Sequence, residues 1–245
     1  MFIPTESAKN LQHQKSSLAC KFSLLVWNIH KENQTAAFQK SFSTLMQSYP
    51  SDILLLQEVK YPKKSSFFFQ EYSFTLAANI QTKENLFGVV TATKSLFHDS
   101  ISALSTKKEL GFSTHKSFLI SKHQLCDKRT LYLVNIHAIN FVSLKTFADE
   151  LCKIKELLLH IQEPLIVAGD FNNWNKKRLN LLNDFQKELG LCELELKQRQ
   201  HVKKIFSQEL DHIYYRGLTP LNAAAIETKN ISDHNPLYAL FELQS

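Results

Sequence analysis

Four apolar runs of this sequence end at or beside a residue that can bind a metal ion or transfer a proton. The runs VWN, LLLQE, LYLVNIH and LIVAGD end at Asn28, Glu58, His137 and Asp170. Short apolar runs of this kind are typical of buried strands. In α/β sheets the loops beyond the strand ends form the usual ligand crevice, so these residues would form one polar site if the strand ends meet.

Glu58 and Asn28 offer oxygen atoms to a hard divalent cation. Because neither a cysteine nor a pair of histidines lies near them, they suit Mg²⁺ or Mn²⁺ better than zinc. The alternative interpretation is a solvated carboxylate at a strand end and an asparagine that forms a turn.

The segment GDFN places Asp170 and Asn172 on one rim, since Gly169 allows a sharp backbone turn. The carboxylate could orient or deprotonate a water molecule, and the amide could donate a hydrogen bond to a phosphoryl oxygen. The alternative is an Asx-turn that caps the following helix.

Two aspartate–histidine pairs follow, Asp211-His212 in LDHIYYRGL and Asp233-His234 in SDHNP. A histidine buried against a carboxylate is fixed in one tautomer and becomes more basic. Such a pair could activate water or stabilise a pentavalent phosphate, although a lone SDH is most often a turn before a strand.

Several cations flank these motifs. Lys176, Lys177 and Arg178 follow GDFN directly, Lys203-Lys204 precede LDH, and Arg216 follows it. They favour binding of a phosphate backbone, as in nucleic acids. A solvated helix face explains them equally well, and Arg216 could instead pair with a structural carboxylate.

The elements that must position these residues alternate in type. The chain has 245 residues, 44% of them hydrophobic, and no linker of low complexity, which predicts a single domain over residues 21–245 after a flexible leader, residues 1–20. The spacing in TAAFQKSFSTLMQSY, SLKTFADELCKIKELLLHI and KKRLNLLNDFQKELG predicts helices, with Ser143 as an N-cap and Gly190 as a C-terminal cap. Mixed βαβ units and runs of strands indicate α/β layers with more than one sheet.

Composition gives weaker indications of partners and compartment. A net charge of +6 and a pI near 9.0 modestly favour polyanionic partners. The four cysteines, Cys20, Cys126, Cys152 and Cys192, are far apart, which predicts structural thiols in a reduced compartment. No run resembles a signal peptide or is long enough to cross a bilayer. We expect a soluble, cytoplasmic monomer without stable membrane insertion, although secretion without a classical signal would leave no trace here.

The motifs VWNIH, LLLQE, VNIHAINF, AGDFN, LDHIYYRGL and SDHNP occur in this order across residues 21–243. In this set the chain resembles the endonuclease/exonuclease/phosphatase (DNase I-like) superfamily, and it is most similar to the bacterial YafD-like proteins. The resemblance implies a four-layered α/β sandwich, two mixed sheets packed face to face between helices. It also implies a Mg²⁺-dependent (or Mn²⁺-dependent) phosphodiesterase or nuclease that uses in-line attack by water.

The resemblance also implies roles for individual residues. Those implied for the metal are Asn28, Glu58 and Asp233, those for catalysis are His137, Asp170, Asn172, Asp211 and His234, and those proposed for substrate binding are Lys176, Arg178 and Arg216. In this scheme Glu58 is the principal metal ligand, Asp211 orients His234, and His137 contacts the phosphate or acts as a general acid.

Two departures from the family pattern narrow the expected activity. His30 occupies a position that is often acidic in nuclease branches, and the tyrosine motif of abasic-site nucleases has no match, although Lys116 could replace its phosphate contact. Specific abasic-site repair is therefore disfavoured. The alternatives are a phosphatase or phospholipase-type enzyme acting on a lipid or small-molecule phosphate, and a catalytically inactive binding module of the same fold.

Overall fold

Two β-sheets packed face to face form the centre of this computed structural model. The structure describes residues 4–12, 17–64, 71–104, 117–140, 142–229 and 231–244. Lys116 lies outside these residues.

The first sheet has the strand order β1-β4-β5-β3-β2-β15-β14 in the described part of the chain. Its strands are β1 (Ala8–Asn10), β2 (Lys21–Asn28), β3 (Ile53–Pro62), β4 (Ser73–Gln81), β5 (Asn85–Thr93), β14 (Leu218–Ala225) and β15 (Leu237–Leu243). β2 and β3 are parallel, so their carboxyl ends lie at the same edge.

The second sheet has the order β10-β13-β9-β8-β7-β6. Its strands are β6 (Phe97–Leu104), β7 (Ser117–Gln124), β8 (Thr130–His137), β9 (Leu165–Asp170), β10 (Cys192–Glu193) and β13 (Asp211–Arg216). β8 and β9 are the parallel pair of this sheet. A separate short hairpin is formed by β11 (Lys204–Ile205) and β12 (Gln208–Glu209).

The three predicted helices form with the expected caps. They are α1 (Ala36–Ser48), α2 (Leu144–Leu158) and α3 (Lys176–Glu188), and single 3₁₀ turns lie at Glu32–Gln34 and Arg199–His201. Ser143 caps α2 by accepting a hydrogen bond from the backbone N–H of Thr146, and Gly190, with φ 62°, follows the end of α3. Within the described residues, no helix is both long and apolar enough to span a bilayer.

Strand alternation divides the apolar residues between separate cores. Leu24 and Val26 of β2 face the second sheet, whereas Leu25 and Trp27 face α1. On the second sheet, Val167 faces outward into the core that contains α2 and α3. The order helix, sheet, sheet, helix confirms the predicted four-layered sandwich.

Part of the leader is ordered. Residues 8–10 form β1, which pairs antiparallel with β4 through Ala8 and Leu76. The sequence pattern does not indicate this strand, because three residues are too few to display an alternation.

A disulfide joins Cys20 to Cys126, with 5.3 Å between their Cα atoms. The expectation of structural thiols is therefore wrong for these two residues, while Cys152 and Cys192 are exposed thiols. The bridge connects the start of β2 with the turn between β7 and β8, at the end of the sandwich opposite to Asn28. Disulfides of this kind are characteristic of oxidising compartments rather than of the cytosol.

We predict that Cys126→Ser lowers the free energy of unfolding by about 2–5 kcal/mol, because the bridge closes a long loop in the unfolded chain. Urea melts with and without a reducing agent measure the effect, and reduction should shift only the wild type. Cys152→Ser, which removes an exposed thiol, should leave the melt unchanged. Four titratable thiols in the native protein would contradict the prediction.

Candidate active site

Strand pairing brings the polar strand ends to one end of the sandwich. In the first sheet Asn28 pairs with Gln57, the residue before Glu58. In the second sheet Asp170 of β9 lies between His137 of β8 and Asp211 of β13.

Glu58 lies in a break of the strand register between Leu56 and Val59, where β3 loses its regular pairing with β5. Its φ of 53° is rare for a residue other than glycine, and bulges of this type often redirect a side chain at a functional site. Lys31 contacts Glu58 through both its backbone and its side chain. Its backbone N–H donates to the Glu58 carbonyl at 2.8 Å, and its Nζ lies 2.8 Å from Glu58 Oε2.

Four of the predicted site residues, two from each sheet, lie close together at this end of the sandwich. Asn28 Nδ2 donates to Asp170 Oδ2 at 3.0 Å and lies 3.5 Å from Glu58 Oε1. His137 Nε2 lies 3.6 Å from Glu58 Oε1 and 3.7 Å from Asp170 Oδ2. Asn28 Oδ1 accepts a hydrogen bond from the backbone of His30 at 3.1 Å, which fixes the orientation of the amide.

A buried hydrogen bond between the two sheets lies next to this cluster. Gln57 Nε2 donates to Asn135 Oδ1 at 2.7 Å across the space between the sheets, and Asn135 Nδ2 donates to the carbonyl of Val90 at 2.8 Å. Because Gln57 precedes Glu58 and Asn135 lies two residues before His137, the contact fixes the relative position of these two strand ends.

The GDFN turn is shaped by close packing of two strands. Gly169 has φ 138°, and a Cβ atom there would lie 2.0 Å from the carbonyl oxygen of Ile136. Asp170 Oδ1 accepts from the backbone N–H of Asn172 at 3.0 Å, and Asn172 Nδ2 donates to the Ala138 carbonyl at 3.1 Å. An amide nitrogen carries two hydrogens, so this contact uses only one donor of Asn172.

His234 completes the cluster from the loop before β15. Its Nδ1 lies 2.7 Å from Asp211 Oδ2 and its Nε2 lies 3.9 Å from Asp170 Oδ2. Ser232 holds this loop, since its hydroxyl donates to the Asn28 carbonyl at 2.8 Å and accepts from the His234 backbone at 3.2 Å.

The aspartate partner of His234 is therefore 23 residues away rather than adjacent. His212, the sequence neighbour of Asp211, instead lies with Nδ1 3.0 Å from Glu193 Oε1. The role of Ser232 was not visible in the sequence, although the pairing of Asp211 with His234 was implied by the family resemblance.

The surroundings of His234 determine its charge. Burial lowers the pKa of His234, but the nearby carboxylate and hydrogen bond of Asp211, with smaller contributions from Asp170 and Asp233, raise it to about 10. His234 is therefore an imidazolium at neutral pH.

Of the remaining predicted residues, two lie on the surface. Asp233, next to His234, has a side chain that is 49% exposed and lies 3.3 Å from Lys203 Nζ, so it stands at the rim rather than among the buried groups. Lys176 is exposed in the first turn of α3.

Arg178 and Arg216 do not have the predicted substrate-binding arrangement. Arg178 is 1% exposed, and its guanidinium donates to the carbonyls of Ile139, Asn172 and Val142. It therefore fixes the loops behind GDFN. Arg216 pairs with Leu165, at the end of β9 opposite to Asp170, and its guanidinium donates to the carbonyls of Leu189 and Ile161.

The oxygen donors of the cluster suit a hard divalent cation. Glu58 supplies carboxylate oxygens, whereas Asn28 directs Nδ2 into the cluster and would offer its amide oxygen to a cation only after the amide flips; no thiol is among the cluster residues described above. The described residues contain no group of three or more His, Cys, Asp or Glu side chains arranged as a complete metal cage. Mg²⁺ commonly binds through one or two carboxylates and retains several waters, so this small donor set fits it.

The chain is similar to proteins of known family and fold. Residues 25–234 match the model of the Endonuclease/Exonuclease/phosphatase family. A UPF0294 protein from Erwinia tasmaniensis is 30% identical over 231 residues, covering 92% of this chain and 82% of that protein.

Two solved structures share the fold. Zebrafish (D. rerio) TDP2 complexed with a single-strand DNA product has a TM-score of 0.67 at 19% identity, covering 91% of this chain and 99% of that one. The human nocturnin catalytic domain with bound sulfate has a TM-score of 0.68 at 16% identity, covering 96% of this chain and 98% of that one. At these identities the similarity shows the fold alone.

We predict that Asp211→Asn lowers the pKa of His234 from about 10 toward or below its ordinary value of 6.5, which NMR titration of the imidazole resonances measures. Because the folded pKa is raised, protonated His234 stabilises the fold below about pH 6.5, and this contribution is lost as the pH rises through about 10. The stability difference between wild type and Asp211→Asn should therefore shrink over this range. Asp233→Asn, at the exposed rim, is the matched control with a small shift; equal shifts in both variants would refute the assignment.

Proposed function

The chain belongs to the endonuclease/exonuclease/phosphatase family, whose members hydrolyse phosphoester bonds, and we propose that it is a divalent-metal-dependent nuclease or phosphodiesterase. The observation that carries this proposal is the convergence of Asn28, Glu58, His137, Asp170 and His234, with successive polar atoms 3.0–3.9 Å apart. Five polar side chains from separate elements would be a costly arrangement in a structural core.

In this proposal Glu58 holds Mg²⁺ or Mn²⁺, and Asn28 would add its amide oxygen when its amide flips away from the orientation that donates to Asp170. When bound, the ion would neutralise charge on the phosphoryl oxygens as a Lewis acid. The fit is supported by Lys31, whose ammonium lies 2.8 Å from Glu58 Oε2, because it shows that this carboxylate already accepts a positive charge in the mouth of the site.

Asp170 is proposed to orient and deprotonate the attacking water. One of its oxygens is fixed by the Asn172 backbone and the other by Asn28 Nδ2. A carboxylate held from two sides presents its remaining lone pairs in a defined direction, which is the requirement for a general base. Asn172 would contact the phosphate through its second amide hydrogen.

His234 is proposed to stabilise negative charge rather than to act as the base. Its pKa of about 10 keeps the ring cationic at neutral pH, and Nε2 is directed toward Asp170, where the reacting phosphate would lie. A preorganised cation next to the developing charge lowers the transition-state energy. His137, 4% exposed and between Glu58 and Asp170, would contact a second phosphoryl oxygen.

A nucleic-acid substrate is favoured over a lipid or a small phosphate. TDP2, which shares the fold, was solved with a single-strand DNA product, and exposed lysines of this chain, Lys176 and Lys177, follow the GDFN turn. Neutralisation of backbone phosphates by such side chains is the main source of nucleic-acid affinity.

We predict Mg²⁺-dependent cleavage of single-stranded DNA, measured in a panel with duplex DNA, RNA, phosphoinositides and sphingomyelin. EDTA should abolish the activity, and Glu58→Gln and His234→Gln should lower kcat about 100-fold or more, as expected for loss of an essential polar group. Asp184→Asn, which neutralises an exposed carboxylate on α3, is the control and should be unaffected. Turnover that persists in both site variants would exclude the assigned roles, and exclusive cleavage of a lipid substrate would favour a phospholipase.

We also predict that Lys31→Met tightens Mn²⁺ binding about fivefold, because a partly exposed ion pair with Glu58 contributes on the order of 1 kcal/mol. Calorimetric titration at low ionic strength measures the affinity without turnover. Lys40→Met removes an exposed charge on α1 and should leave it unchanged. Weaker binding in Lys31→Met would show that the lysine does not compete with the ion.

A further inference from the structure

The turn of the short β11–β12 hairpin exposes an aromatic side chain beside the site. Phe206 is 81% exposed, and both turn residues, Phe206 and Ser207, have positive φ, 48° and 66°. Glycine or asparagine is preferred in this conformation. A phenylalanine here is both conformationally strained and removed from any core, so its presence is not explained by folding.

Trp174 lies next to Phe206, and these two residues together form what we call the aromatic rim. Its ring centroid lies 6.3 Å from that of Phe206 at an interplanar angle of 62°. The indole N–H donates to Asn140 Oδ1 at 2.9 Å, and the guanidinium of buried Arg178 lies over the ring at 5.0 Å. Trp174 is therefore held in a fixed orientation before any ligand arrives.

Both aromatic residues are joined closely to the catalytic cluster. Trp174 follows Asp170 by four residues, and the hairpin is connected to the GDFN turn by a hydrogen bond from the Phe171 backbone N–H to the Leu210 carbonyl at 2.8 Å. At the other end of the hairpin, Lys203 lies 3.3 Å from Asp233, the neighbour of His234.

A cleft lined by both apolar groups and cations adjoins Trp174. It encloses about 490 Å³ and is lined in part by Leu144, Trp174, Lys176 and Lys177. Both lysines are exposed. Planar rings next to exposed ammonium groups match a ligand in which planar bases alternate with phosphates.

We propose that Phe206 and Trp174 bind a base of a single-stranded nucleic acid by stacking, while Lys176 and Lys177 bind an adjacent phosphate. The inference rests on the proposed function for the identity of the reacting group, and it adds the position at which the strand next to the scissile phosphate is bound. Stacking on aromatic side chains tolerates any base. The aromatic rim therefore supplies affinity for a single strand without sequence selectivity.

Binding of a fluorescent oligothymidylate of about eight nucleotides, measured in EDTA by anisotropy, tests the proposal. The same backbone lacking its bases serves as the paired ligand. Phe206→Ala should weaken binding of oligothymidylate about fivefold or more and leave the abasic backbone unaffected, whereas Phe206→Tyr should retain affinity. Leu221→Ala, which removes an exposed side chain on β14, should change neither.

The double variant Lys176→Ala/Lys177→Ala should weaken both ligands and reduce the salt dependence of binding. Equal effects of Phe206→Ala on both ligands, or none on either, would overturn the proposal. Loss of binding to phosphatidylcholine vesicles in Phe206→Ala, with oligonucleotide affinity intact, would also overturn it and would assign the residue to a membrane contact. Because binding is measured without metal or turnover, failure here is distinguishable from failure of the catalytic proposal.

Discussion

The buried carboxylates of Asp170 and Asp211 impose the constraint on which the site depends. An unpaired carboxylate in a protein interior costs several kcal/mol, so both require compensation from nearby groups. His234 lies between them, 2.7 Å from Asp211 and 3.9 Å from Asp170, and Asn28 donates to Asp170. Asn28 ends β2 and His234 lies in the loop before β15, whereas both carboxylates belong to strands of the second sheet. Compensation of the two charges therefore links the two sheets at this end of the sandwich, and it places the cationic ring that we propose for phosphate binding.

Much of the fold follows from local patterns in the sequence. The apolar spacing of α2 and the caps at Ser143 and Gly190 depend on neighbouring residues alone, and continuous apolar runs correctly indicate strands buried on both faces. The β1 strand and the Cys20–Cys126 disulfide were not predictable in this way, because each depends on a partner far along the chain.

The same distinction separates the predicted from the unpredicted parts of the site. Strand ends could be located from the sequence, and parallel pairing necessarily brings them to one edge. The positive φ of Glu58 and its ion pair with Lys31 depend on the register break in β3. No local sequence pattern indicates this break. Arg178 was predicted to bind substrate because it is a cation next to a site motif. In the fold its guanidinium is instead buried and donates to three backbone carbonyls.

A crystal structure with Ca²⁺ and a non-cleavable phosphorothioate oligonucleotide would address the central claim most directly, since it locates the scissile phosphate itself. We predict that the phosphate lies among Glu58, His137, Asp170 and His234, with the ion on the side of Glu58 and Asn28. A phosphate and ion bound at another surface, with this cluster filled only by water, would contradict the account.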